Sequence, residues 1–262
     1  MRRLLLTGIG IVLVGCSQAG DLPVATGAPT TKPTLAVGTT TVPTAAVVTT
    51  ITAPVLTASS LHLGESLVGM AASAVEVFEL PDHAAPMRVM EPSTILGSPR
   101  AVLVEDGPVD GWIRVSLPIR PNGSSGWIRA VDLTLRVVDH TIFVDLSDKW
   151  LRLVRGAETV IETEVAVGSS ANPTPTGRFF VTDVIQLTDP KGPWGPFALG
   201  LSAFSDTITE FNGGDGIIGI HGTNRPGSIG QAVSLGCVRV PNEIALQLAG
   251  VVALGTPVEI SD

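Results

Sequence analysis

His221-Gly222-Thr223-Asn224-Arg225-Pro226 and Ser234-Leu235-Gly236-Cys237-Val238-Arg239-Val240 are the stretches whose reading decides the fold, with Cys237 sixteen positions after His221. The chain has two cysteines, and the other, Cys16, closes an apolar leader. Cys237 therefore reads as an unpaired thiol. A cysteine nucleophile acts as thiolate, and at an ordinary pKa of about 8.5 only a few per cent is ionised at neutral pH. It needs a base, and one of only four histidines stands at short range. The competing reading is a small buried hydrophobe, the commonest fate of a free cysteine. The Cys and His pairing alone does not choose between them.

Arg2 and Arg3 precede an apolar or small run from Leu4 to Val14, ending at Gly15-Cys16. A basic start and a short apolar core describe a secretory signal, too short to span a bilayer. Leu13-Val14-Gly15-Cys16 resembles a bacterial lipobox, whose cysteine becomes the lipidated first residue of the mature chain. The expected location is extracytoplasmic, anchored to the membrane by lipid at Cys16 and facing the cell wall. No later segment is long and apolar enough to cross a membrane. The formal charge is −8, with 24 acidic residues against 16 basic ones and no basic run. Nucleic acid is excluded as a partner on that balance, because phosphate binding needs clustered Lys and Arg.

Residues 17–60 are rich in Thr, Ala, Pro and Val, with Asp21 and Lys32 their only charges. They show no sustained period of 2 or 3.6 and read as a tether. As a flexible coil it would span about 35 to 40 Å.

The folded part is expected from Leu61 onward and reads as mainly β. Val75–Leu80, Pro86–Met90 and Ile113–Leu117 are short strand candidates bounded by Gly, Pro and Asp. Gly111-Trp112-Ile113-Arg114-Val115 is echoed by Gly126-Trp127-Ile128-Arg129-Ala130, with the turn residues Pro121-Asn122-Gly123-Ser124-Ser125 between them. The echoes are expected to be adjacent strands of a long hairpin, with the tryptophans packing a core rather than stacking on a ligand. The pattern resembles bacterial SH3-like modules.

From Val137 the strand candidates lengthen: Thr141–Leu146, Trp150–Arg155, Thr159–Val167, Arg178–Ile185, Ile217–His221, Gly236–Val240 and Val258–Ile260. One helix is expected from Pro241 or Asn242, with Ile244 and Leu248 on one face and Gly250 closing it in the left-handed conformation. Asp189-Pro190-Lys191-Gly192-Pro193-Trp194-Gly195-Pro196 is a surface loop, either a substrate lid with Trp194 as its apolar contact or a plain connector. Gly213-Gly214-Asp215-Gly216 reads as a tight turn. His62, His83 and His140 are scattered without ligand spacing, so no metal site is expected.

Together the His-Gly-Thr-Asn-Arg-Pro and Ser-Leu-Gly-Cys-Val-Arg segments closely resemble the signature of L,D-transpeptidase catalytic domains of the YkuD type. Thr174-Pro175-Thr176-Gly177-Arg178-Phe179 matches that family's upstream Thr-Pro-x-Gly-x-Phe element, and Phe143–Leu146 with Trp150–Leu153 looks like its opening hairpin. The resemblance covers about residues 136–261. One departure is Leu235, where many members have histidine.

Four parts are expected: a lipoprotein signal over 1–16, the tether over 17–60, an SH3-like barrel over 61–135 and a catalytic domain over 136–262 with a short helix after the cysteine, the last implied by the L,D-transpeptidase resemblance. That resemblance implies Cys237 as nucleophile and His221 as base, with a carbonyl near Gly222 orienting the imidazole. It places oxyanion donors on the backbone around Leu235, Gly236 and Cys237. Ser234, Thr223 and Trp194 become candidate substrate contacts. Arg239 becomes a candidate carboxylate ligand, or else half of a structural ion pair. The implied activity is formation of 3→3 crosslinks between peptidoglycan stem peptides with release of D-alanine, and no metal or organic cofactor. Water or a protein amine as acceptor, and a non-catalytic wall-binding lipoprotein, are the alternatives.

Overall fold

The computed structural model describes residues 61–211 and 214–262. The leader, Cys16, the tether and Gly213 lie outside the described residues.

The first sheet contains β1 (Ser66–Met70), β4 (Ala101–Val109), β5 (Trp112–Ser116), β6 (Ser125–Arg129) and β7 (Thr134–Val138), in the order β6-β5-β4-β1-β7. All its pairings are antiparallel. The two echoes are neighbours, with Trp112 opposite Arg129 and Arg114 opposite Trp127. Trp112 is buried and meets the edge of Phe78, ring centroids 5.2 Å apart, while the Arg129 guanidinium covers both rings. The core reading of Trp112 therefore holds. A ribbon of β2 (Val75–Val77) and β3 (Arg88–Met90) closes one side, joined to β6 where Phe78 pairs with Trp127. These elements share a core of their own, including Leu67, Val102, Ile113 and Ile128. The sheet runs to Val138.

The second sheet is mixed and eight-stranded. Its members are β8 (His140–Asp145), β9 (Trp150–Arg155), β10 (Glu158–Glu164), β12 (Gly177–Gln186), β13 (Phe197–Phe204), β14 (Ile217–His221), β16 (Val238–Arg239) and β17 (Pro257–Ser261). They lie in the order β10-β9-β8-β17-β12-β13-β14-β16. The β8–β17 and β14–β16 pairs are parallel and the rest antiparallel. β11 (Val167–Gly168) and β15 (Ala232–Ser234) form a small parallel pair beside it. Helix α1 (Asn242–Val251) packs Ala245 and Leu248 into the core against β13 and β14.

Three local expectations change. β13, Phe-Ala-Leu-Gly-Leu-Ser-Ala-Phe, is a central strand absent from the strand candidates. It is buried along nearly its whole length, so it lacks the alternation that betrays a half-exposed strand. Cys237 precedes its strand instead of lying in it, because Gly236 has φ +116° and breaks the extended run. Gly250 does not end α1: the helix continues to Val251 and is capped by Val252 at φ −81°.

Candidate active site

β14 and β16 bring the two decisive segments together. Their parallel register sets Ile220 opposite Val238 and His221 opposite Arg239, so Cys237 enters β16 beside Gly219. Strands so paired lie about 4.8 Å apart. The Gly219 backbone stands close enough to the Cys237 thiol to favour its ionised form.

The loop before Cys237 is held from two sides. Ser234 Oγ donates to the Cys237 carbonyl at 2.6 Å and accepts from Gly236 N–H at 3.0 Å. The buried Thr174 Oγ1 donates to the Gly236 carbonyl at 2.8 Å and accepts from Gly168 N–H at 2.8 Å. Gly236 combines its positive φ with a close approach: a Cβ there would sit 2.9 Å from Ile218 Cδ1. Only glycine takes that turn without strain.

Of the three N–H groups expected to meet an oxyanion, that of Gly236 is occupied by Ser234. Those of Leu235 and Cys237 make no hydrogen bond to the described residues. Leu235 is half exposed at the cleft. Leu235 thus brings an apolar side chain and an available backbone donor to the cleft.

His221 is buried, and its Nδ1 lies 2.6 Å from the Gly222 carbonyl. A carbonyl only accepts, so Nδ1 carries the proton and Nε2 is the basic nitrogen. Burial pushes the imidazole pKa down from 6.5 to about 4, the positive charge of Arg239 acts in the same direction, and the Gly222 bond opposes them. His221 is therefore neutral at physiological pH. Burial also raises the thiol pKa of Cys237, against the lowering influence of the Gly219 backbone and Arg239. The resting pair is thiol and imidazole, not thiolate and imidazolium.

The turn after His221 is fixed from the helix. Asn242 Oδ1 accepts the Thr223 N–H at 2.7 Å, while Thr223 Oγ1 accepts from Arg225 N–H at 3.0 Å. A Cβ on Gly222 would run into that same Asn242 oxygen and lie 3.0 Å from Pro196. Thr223 is consumed in this turn and lines neither cavity that holds Cys237 and His221.

Two cavities meet at the pair. One, about 300 Å³, adds Ser205, Ser234, Leu235 and Arg239. The other, about 330 Å³, adds mostly aliphatic side chains. Trp194 lines both and stacks on His221, centroids 5.5 Å apart. Arg239 shares the first cavity with Cys237, and its buried Nε has no hydrogen-bond partner among the described residues.

Residues 139–260 match the family model described as the L,D-transpeptidase catalytic domain, YkuD. The YkuD protein of Bacillus licheniformis, named as an L,D-transpeptidase, is 37% identical over 124 residues, covering 47% of this chain and 67% of its own length. The chain belongs to the YkuD-type L,D-transpeptidase family. The Bacillus subtilis YkuD protein matches at 36% with the same coverage. Among solved structures, an L,D-transpeptidase from Mycobacterium smegmatis is 14% identical, covers 72% of this chain and 99% of that one, and has a TM-score of 0.40.

In this L,D-transpeptidase family member two contributors escaped the sequence reading. Asn242 read only as a helix start, yet its side chain caps nothing in α1 and ties down the turn after His221. Thr174 stood in a recognised motif, but one of its two hydrogen bonds reaches a carbonyl 62 residues away. No local pattern signals either contact.

Proposed function

We propose that this chain is a peptidoglycan L,D-transpeptidase that forms 3→3 crosslinks through a thioester on Cys237. The observation that carries the reading is the neutral His221, its Nδ1 engaged by Gly222, in one cleft with the Cys237 thiol. His221 Nε2 takes the thiol proton as sulfur attacks the carbonyl of the third stem residue. The Leu235 and Cys237 N–H groups receive the developing oxyanion. Collapse breaks the peptide bond to the terminal D-alanine, whose amine takes the proton from the imidazolium. A second stem amine then attacks the thioester, gives its proton to His221 and restores the thiol. No step calls on a metal or organic cofactor.

A neutral pair suits this sequence, because proton transfer is coupled to attack and needs no standing thiolate. Arg239 is the candidate ligand for the donor's terminal carboxylate: its charge faces the nucleophile's cavity and its Nε is free. Trp194 and Ser234 flank the same space.

The wider organisation belongs to the same proposal. Cys16 carries the lipid, residues 17–60 lift the folded part off the membrane, and the enzyme works outside the cytoplasm. Residues 61–135 form an SH3-like module, a reading supported by the antiparallel five-stranded sheet with its own core. No helix among the described residues is long and apolar enough to cross a membrane.

Mass spectrometry of the protein incubated with a tetrapeptide-stem muropeptide tests the reading. Crosslinked dimer with released D-alanine is expected, absent in Cys237→Ala and depressed about 10²–10⁴-fold in His221→Ala. Tripeptide without dimer would mean water is the acceptor, and unchanged substrate would leave a wall-binding role. Full activity of Cys237→Ala would overturn the mechanism.

A further inference from the structure

We propose that the five-stranded unit is part of the active site. Its 94–96 turn supplies part of the wall of the apolar cavity, and Arg120 with Asn122 positions residues after β13 that line the two cavities at Cys237. The inference deepens the transpeptidase reading by assigning the apolar cavity an occupant, an uncharged aliphatic section of the acyl donor.

The wall comes first. Ile95 and Leu96 line the apolar cavity together with Ile185, Leu187, Leu199 and Ile217. Apart from Asp215, His221 and Cys237, its described lining bears no ionisable side chain. Ile95 and Leu96 are 75% and 52% exposed, a cost in water that covering them with an apolar group would remove.

The turn that carries them is built. Thr94 Oγ1 accepts from the N–H groups of Leu96 and Ser98 at 3.2 and 3.1 Å, and the backbone closes through Thr94 N–H to the Ser98 carbonyl. The same hydroxyl donates to Asp183 Oδ1, on a β12 carboxylate that is buried. Arg100 stands close enough to Asp183 for their charges to interact. A buried carboxylate on the catalytic sheet thus holds the turn at the cleft.

The second contact grips the segment after β13. Arg120 Nη1 donates to the Ser205 carbonyl at 2.8 Å, and Nη2 donates to those of Asp215 at 2.8 Å and Ile208 at 3.3 Å. Its guanidinium also lies over the Phe204 ring. Asn122 answers both backbone groups of Phe204, accepting its N–H at 2.9 Å and donating to its carbonyl at 2.8 Å. Of the residues so held, Asp215 with its neighbour Gly216 lines the apolar cavity, and Ser205 and Ile208 line the adjoining cavity at Cys237. The fork of Arg and the amide of Asn each matter: a lysine has its donors on one nitrogen where Arg120 spans three carbonyls with two, and an aspartate cannot donate.

The test compares alkylation of Cys237 by iodoacetamide, which is small and polar, with N-phenylmaleimide, which is bulky and apolar. Rates are read on the Cys237 peptide of the full chain. The Ile95→Ser, Leu96→Ser double variant should lower the N-phenylmaleimide rate about tenfold, the scale of a lost Leu or Ile contact, while the iodoacetamide rate stays within about twofold. Arg120→Lys and Asn122→Asp should lower the same ratio. Global loosening would instead raise both rates together, since it opens the thiol to either reagent. If the double variant misfolds in that way, the ratio in Arg120→Lys and Asn122→Asp decides. An unchanged ratio overturns the proposal even if the protein crosslinks stem peptides. A lowered ratio supports it even if no crosslinking is found, so the two readings fail separately.

Discussion

The Trp194 indole lies stacked on the His221 imidazole, ring centroids 5.5 Å apart and planes inclined by 24°. The loop that carries Trp194 thus reaches the His221 ring. It covers the ring that the β14–β16 pairing leaves at the cleft, and burial is the main cause of the low imidazole pKa. An imidazole kept from water is disfavoured in its charged form.

Trp194→Ala should therefore let the His221 pKa climb from about 4 toward 6.5. The acid limb of kcat/KM, which reports the free enzyme's essential base, should move to higher pH by the same amount. Imidazole carbon-bound proton shifts followed against pH give the pKa directly. A limb and a titration that stay in place would show that the rest of the pocket, not the indole, desolvates the ring.

Thr174→Val should loosen the loop before Cys237 with little change in side-chain volume. The valine leaves the Gly168 N–H and the Gly236 carbonyl without the hydroxyl that joins them. Two backbone groups deprived of a buried partner cost about 1–3 kcal/mol in unfolding free energy, read by urea denaturation. Activity should fall by more than stability explains, because Gly236 precedes Cys237. Thr174→Ser keeps the hydroxyl and should recover most of both.

The neutral, buried His221 also predicts a stability profile. Its folded pKa, about 4, lies below the ordinary 6.5, so between those values the unfolded chain binds more protons than the folded one. Stability then rises with pH across that window: it is fully present above pH 6.5 and lost as pH falls toward 4. The loss attributable to this one group is roughly 3 kcal/mol. His221→Gln, measured alongside wild type from pH 7 to 4, should show a shallower decline by about that amount. Parallel curves would mean the imidazole protonates as easily folded as unfolded.

Much of the scaffold was legible locally. Half-exposed strands such as Trp150–Arg155 alternate, and the structure returns that strand with the bounds the alternation gives. The Trp-Ile-Arg echo and its Asn-Gly turn declare a hairpin, and the register places the two segments side by side. β13 was hidden because both of its faces are covered, which erases the period. The end of α1 was misread at Gly250, since packing of Ala245 and Leu248 carries the helix one residue beyond its best terminator.

The sequence by itself determined the chemistry-bearing parts: a single cysteine after Cys16, a histidine sixteen residues before it, and glycines at turns where a side chain would strain. These depend on residue type and short spacing, which the chain carries openly. Only the tertiary structure decided the protonation states, because desolvation of His221 and Cys237 comes from groups distant in sequence. It alone brought Asn242 to Thr223, Thr174 to Gly236 and Arg120 to the segment after β13. Such contacts join backbone groups across 19 to 85 residues or more, and a hydrogen bond at that range leaves no mark on the residues between.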